Sequence, residues 1–431
     1  MIFEKINLLE QSKKDCNVNC RSSVCRGKYL ALRVRKRHIA PCMSFICMNV
    51  KPLLLLITLI FLVSGCESAG ESSNSRNWPL FRGDAGLSGY TKTNISDKPV
   101  LLWSYKSDSR TASSPVIYDN TTYWCDKRGR IFGVDYDGNL SFDYSFATAI
   151  EATPMVHDSV LYIGRIDGIM SALSLTKNDT LWTFETMGQI SASPNIGVIN
   201  GKEAVIFGSY DNYLYCIDKQ NGKELNKFES GYYINGAAAL WKNHIISGGC
   251  DALLKVIDAT TGIVTDSLEL DTYIPASPAI SDNHCYIADH SGNVYEIVID
   301  AGKIAHWQKV VEAKDSEGTF VSVPALSDET LYIISDDRNL YAINRRDGSI
   351  RWKYLQKGNS GESSPLVCGD KIISCTKSGI VSVLNASSGA LLWEYDTGEQ
   401  ITASPAVIKD RFYILTAKGT LFCFGKRSGS A

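Results

Sequence analysis

A unit of about forty residues recurs eight times between Ser113 and Phe424, and a repeat of that length limits the fold to a few architectures. A proline opens most copies: Pro115, Pro154, Pro194, Pro278, Pro324, Pro365 and Pro405, with Ala238 in the fourth slot. Successive spacings are 39, 40, 44, 40, 46, 41 and 40 residues. Each marker leads into short apolar runs separated by polar turns, as in Val407-Ile408, Phe412-Tyr413-Ile414-Leu415 and Leu421-Phe422-Cys423-Phe424. Three or four short strands per unit, with no room for helices, predict an all-β chain: an eight-bladed β-propeller of four-stranded antiparallel blades.

The turns agree with that reading. Segments such as Asp167-Gly168-Ile169, Asp211-Asn212-Tyr213 and Ser378-Gly379-Ile380 carry the Gly, Asn and Asp that tight hairpins require, joining the second and third strands. A further turn ending in a large side chain, as in Ser388-Gly389-Ala390-Leu391-Leu392-Trp393, marks the outer strand. The last copy stops after its third strand, whereas Val100-Leu101-Leu102-Trp103-Ser104-Tyr105 precedes the first marker with an outer-strand pattern. Closing the last blade with this N-terminal strand removes both exposed edges of a linear array.

The Ser-Pro start, the Asp-Gly hairpin and the Gly-x-x-x-Trp close resemble the quinoprotein, or PQQ-like, propeller repeat. The leader Asn77-Trp78-Pro79-Leu80-Phe81-Arg82-Gly83 resembles the segment that introduces many such propellers. The resemblance runs over residues 78–425. Its members include quinone-dependent dehydrogenases and non-catalytic propellers, among them the BamB-like β-barrel assembly lipoproteins of bacterial outer membranes.

Residues 48–65 read as a lipoprotein signal peptide. Met48-Asn49-Val50-Lys51 supplies a basic start, residues 53–63 an apolar stretch too short for the 20 or so residues of a membrane span, and Val63-Ser64-Gly65-Cys66 a lipobox-like cleavage site. Cys66 is then the lipidation site, and residues 66–77, rich in Ser, Gly and Asn, a flexible tether. The propeller follows over 78–431. Residues 1–47, basic and aperiodic, fit a start codon assigned too far upstream. From Cys66 onward the chain holds 33 basic and 43 acidic residues. This acidic balance argues against a nucleic-acid partner.

Chemistry is sparse. Seven cysteines follow Cys66 without C-x-x-C spacing, so neither a metal site nor a disulfide framework is expected. The six histidines form no metal-binding pair, and no nucleophile elbow is present. A PQQ-dependent dehydrogenase would need Ca²⁺ ligands, a carboxylate base and basic or stacking groups around a flat polyanionic quinone. Only Glu151, Asn235 and Glu362 stand out as funnel-facing oxygen ligands; they read as polar residues at a solvated mouth. The adjacent cysteine pair of the alcohol-oxidising enzymes is missing, and the outer-strand tryptophan belt lapses at Asn226 and Thr265. No catalytic residue, metal or cofactor is therefore expected. The resemblance implies a lipid-anchored scaffold in the bacterial envelope, at the outer membrane facing the periplasm, that binds a protein of the β-barrel assembly machinery. The alternatives are a periplasmic dehydrogenase with PQQ and Ca²⁺, and a surface lipoprotein holding a glycan or peptide.

Overall fold

The computed structural model describes residues 77–315 and 318–427; the upstream segment, the signal peptide and Cys66 lie outside them. Eight antiparallel sheets follow in chain order, blades one to seven spanning 116–145, 155–185, 195–229, 239–269, 279–311, 325–355 and 366–396. The eighth combines 406–425 with Val100–Lys106, which pairs antiparallel with Thr420–Gly425 and sets Leu101 opposite Phe424. The expected eight-bladed ring and its closure by an N-terminal strand are both present. Lys106 also donates to Glu399 Oε1 at 2.8 Å, tying the closing strand to the loop between blades seven and eight.

Burial explains the apolar runs. In blade one the second and third strands, Thr121–Cys125 and Arg130–Val134, are buried almost throughout, because a neighbouring blade covers each face. The outer strand Leu140–Ser145 alternates exposed and half-buried residues, as a strand with one wet face must. Three of the hairpins between second and third strands place a non-glycine residue at positive φ: Asn212, Ala252 and Arg338.

Outer-strand side chains lock five of the blades to the next. Trp103, Trp182 and Trp352 donate their indole N–H to Tyr136 O, Lys219 O and Ala386 O of the following blade, at 3.1, 2.9 and 3.1 Å. Each ring lies against the turn glycine of that blade; a Cβ on Gly222 would sit 2.7 Å from the Trp182 ring. The belt does not lapse at blades three and four. Asn226 donates to Ala259 O and Thr260 O, and Thr265 to Gly302 O, so smaller donors make the same inter-blade link. Trp307 departs from the pattern: it is 44% exposed and packs 6.2 Å from Tyr295 of its own blade, whose outer strand pairs through two register shifts.

The Ser/Thr-Pro signature has its own structural cause. Each hydroxyl just before the marker accepts the backbone N–H of the equivalent residue one blade earlier. Ser114 N–H bonds Thr153 Oγ1, Thr153 N–H bonds Ser193 Oγ, and Ala237 N–H bonds Ser277 Oγ. Val323 N–H bonds Ser364 Oγ, Ser364 N–H bonds Ser404 Oγ, and Ser404 N–H returns to Ser114 Oγ. The series breaks only where Ala237 and Val323 offer no hydroxyl.

The leader fills the channel. Innermost strands are sheet edges, and their inward N–H groups need acceptors. Trp78 exchanges both backbone hydrogen bonds with Ile117 of blade one. Pro79 O, Ala85 O, Gly86 O, Ser88 O and Gly89 O then accept from Val156, Leu240, Ile280, Leu326 and Val367, at 2.7 to 2.9 Å. Asn195 of blade three reaches Ala85 O with its side-chain amide. The leader thus makes one circuit past blades one to seven. At its centre Arg82, 2% exposed, donates to Pro324 O and Pro365 O at 3.0 and 2.5 Å. Burial lowers the guanidinium's pKa to about 9, with Asp84 acting in the opposite direction.

Candidate functional site

Because the leader closes one end of the channel, only the other end is an open funnel, with a volume of about 370 Å³. Its wall comes from the residues just ahead of the inner strands of all eight blades, and leader residue Phe81 contributes to its lining. Glu151, Ser191, Asn235 and Glu362 hold one repeat position, two residues before the hydroxyl belt, so the ring turns all four toward the same space. The three oxygen-bearing candidates from the sequence are brought together, but from three sides of the ring, at the entries to blades two, four and seven.

The funnel is acidic. Among the described residues no lysine, arginine or histidine lines it. Glu151 accepts from Lys127 Nζ at 2.7 Å, whereas Glu362 has no ion-pair partner among the described residues. Ser191 Oγ is out of contact with water and has no hydrogen-bond partner in the wall. Around the mouth, loops of blades two to five expose Ile166, Met187, Tyr232, Tyr233 and Tyr273, with Met187 94% exposed. Tyr233 stacks on Tyr210 at 4.8 Å and Tyr273 on His290 at 4.5 Å, which holds those rings in place.

This donor set does not fit PQQ over Ca²⁺. Among the described lining residues a polyanionic quinone would meet two carboxylates and no basic side chain. The glutamate that would serve as a base is already paired with Lys127.

Two other clusters are structural. His157 Nε2 lies 2.9 Å from Glu203 Oε1 and 3.4 Å from Asp158 Oδ2, a spacing that could hold a metal ion. Lys219 Nζ already bonds both carboxylates and supplies the positive charge there. A cavity of about 440 Å³ between blades five and six holds Glu296, which burial pushes toward a higher pKa. Donors from Tyr286, Gln308 and His284 outweigh burial and hold it ionised, and Arg345 bonds Tyr286 across the blade boundary. The seven cysteines among the described residues are free, and burial pushes thiols such as Cys216 and Cys375 up to about 12, leaving them inert.

Sequence reasoning missed the leader's role as a plug. Its signal was the placement of Trp78, Leu80, Phe81 and Leu87 among Gly83, Gly86 and Gly89: apolar anchors on a chain of tight turns.

Comparison with known proteins gives a consistent picture. The model of the family described as outer membrane protein assembly factor BamB matches residues 93–231 and 250–431. The Yersinia pestis protein of that name is 27% identical over 224 residues, 46% of this chain and 56% of the relative. The chain thus spans about half the length of the curated relatives it matches first. The crystal structure of BamB from Moraxella catarrhalis superposes with a TM-score of 0.64 at 19% identity, covering 77% of this chain and 99% of that one. Quinohemoprotein alcohol dehydrogenase from Comamonas testosteroni superposes with a TM-score of 0.67 at 14% identity, covering 83% and 82%. At these identities the structural likeness speaks for the fold alone.

Proposed function

We propose, from the premise that this chain belongs to the family of outer membrane protein assembly factor BamB, that it is a non-catalytic binding scaffold of the bacterial envelope. In this reading Cys66 carries the lipid anchor and the funnel face meets a protein of the β-barrel assembly machinery at the periplasmic side of the outer membrane. The observation that carries it is the charge of the funnel. Two carboxylates, no basic lining residue and oxygen ligands spread over three sides of the ring support a binding surface rather than a quinone site. The exposed tyrosines and Met187 beside the mouth are side chains that protein interfaces favour.

Asn77 Oδ1 accepts from Asp119 N–H at 3.0 Å, so the leader enters the ring on the closed face.

Deleting the gene tests the role. The steady-state level of outer-membrane β-barrel proteins should fall, and Cys66→Ala should reproduce part of that loss. Unchanged barrel levels in the deletion strain would overturn the reading. For the dehydrogenase alternative, PQQ with Ca²⁺ should leave the melting temperature unmoved. A ligand at 100 times its Kd would add about 2.7 kcal/mol.

A further inference from the structure

We infer that the boundary between blades five and six binds a planar aromatic ring that donates an N–H, a ring of the indole type. The site lies outside the funnel and goes beyond the assembly role. Its basis is a three-strand row that recurs around the propeller. Tyr162, Ala172 and Trp182 stand side by side across blade two, Tyr332, Ala342 and Trp352 across blade six, and Tyr413, Cys423 and Trp103 across blade eight. In all three rows the indole lies 5.8 Å from the tyrosine ring and donates to a carbonyl of the following blade.

Blade five breaks the row. It reads Tyr286, Glu296 and Gln308, with a carboxylate in place of the small side chain and an amide in place of the indole. Gln308 Nε2 turns in to Glu296 Oε2 at 2.6 Å, and Trp307, one residue earlier, points to the opposite face of the strand. Arg345 directly follows the third strand of blade six, as Lys219 and Ala386 follow theirs. Lys219 O and Ala386 O each accept an indole N–H, whereas no side chain of the described residues donates to Arg345 O. The counterparts of the groups that frame an indole elsewhere, Tyr286, Glu296 and Arg345, here line the cavity of about 440 Å³. All three are buried, Arg345 being 8% exposed.

The wall selects the ligand. The Arg345 guanidinium lies 5.0 Å from the Tyr286 ring centre, and a guanidinium stacks readily on aromatic faces. A ring entering beside it finds Arg345 O as the acceptor for its N–H. An anion would meet the ionised Glu296, with Asp282 and Asp328 at the rim, and a saturated sugar offers the guanidinium no flat face. The volume suits a bicyclic ring with a substituent. The ring has two sources, a tryptophan side chain presented by a partner protein or a free indole compound, and both use the same groups.

Ligand-detected NMR titration of the purified chain with indole, benzofuran and acetyl-Gly-Trp-Gly-amide tests the inference. Indole should bind with a Kd of about 1 mM or tighter, and benzofuran, which keeps the shape without the N–H, at least about fivefold more weakly. Glu296→Ala combined with Gln308→Trp rebuilds the row of blades two and six. Its own indole should fill the cavity, raise the melting temperature and cut ligand affinity at least about tenfold. Should that variant not fold, His306→Trp fills the cavity from its exposed rim and should weaken binding at least about fivefold. Tighter binding of the peptide assigns the ring to a partner protein, and tighter binding of indole assigns it to a free compound. Equal affinity for benzofuran, undiminished binding in the filled variant, or no binding below about 10 mM would overturn the inference. Barrel levels in the deletion strain are read separately, so failure of either proposal leaves the other standing.

Discussion

The two ends of the central channel are built from the same eight strands and finish differently. At the closed end, inner-strand N–H groups from most blades find carbonyls of the leader, and Arg82 bonds two more carbonyls at its centre. At the open end, blades bond one another through the Ser/Thr belt, and the residues two positions earlier face water. One end consumes its polar groups in closing the ring; the other leaves a ring of side chains free to vary. Binding function belongs at the end where folding makes no demand on the side chain.

That contrast breaks most readily at the closed end. Deleting residues 77–106 removes the plug and the closing strand together, and the cooperative melt should disappear, while trimming 67–76 should leave it unchanged. Equal behaviour of the two truncations would refute the closure. Arg82→Ala strips two buried carbonyls of their donor and should cost about 3 kcal/mol in urea denaturation; a loss under about 1 kcal/mol would show that the plug does not depend on it.

Glu399 gives the closing strand a pH signature. Burial would raise its pKa, but Lys106, Thr416 and Thr420 donate to it and bring it to about 2. A carboxylate depressed in the folded state contributes fully above the ordinary value near 4.5, and its contribution fades as pH falls from there toward 2. Glu399→Gln should cost about 1–2 kcal/mol at pH 7 and flatten the acid limb of stability. A parallel acid limb in the variant would contradict this assignment.

Smaller effects sharpen the belt and the turns. Ser364→Ala orphans Val323 N–H and should cost about 1 kcal/mol, whereas Val323→Thr, which places a hydroxyl at one of the two breaks, should gain about 0.5 kcal/mol. Ala252→Gly relieves a φ of 59° and should gain up to about 1 kcal/mol. Glu151→Gln and Glu362→Gln should shift stability by less than about 0.5 kcal/mol, since the open end bears no folding load.

Whatever repeats was legible in the sequence. The prolines, turn dipeptides and unpaired strand at 100–105 gave blade number and closure, because each of eight copies reports the same geometry. The convergence of Glu151, Asn235 and Glu362 was legible for the same reason, since they hold one repeat position. The plug was not, because the leader occurs once and its carbonyls, not its side chains, make most of the bonds. Nor were Asn226 and Thr265 as docking donors. Neither carries the indole that makes the link in blades two, six and eight, so no ring marks the position in the sequence.

The direct test of a working funnel face and an inert closed face is site-specific photo-cross-linking in intact envelopes. One probe replaces Tyr232, 52% exposed at the mouth, and the other Asn178, in a turn on the closed face. The account expects adducts with a component of the β-barrel assembly machinery from position 232 and none from 178. Adducts from 178 alone, or equally from both, would contradict it.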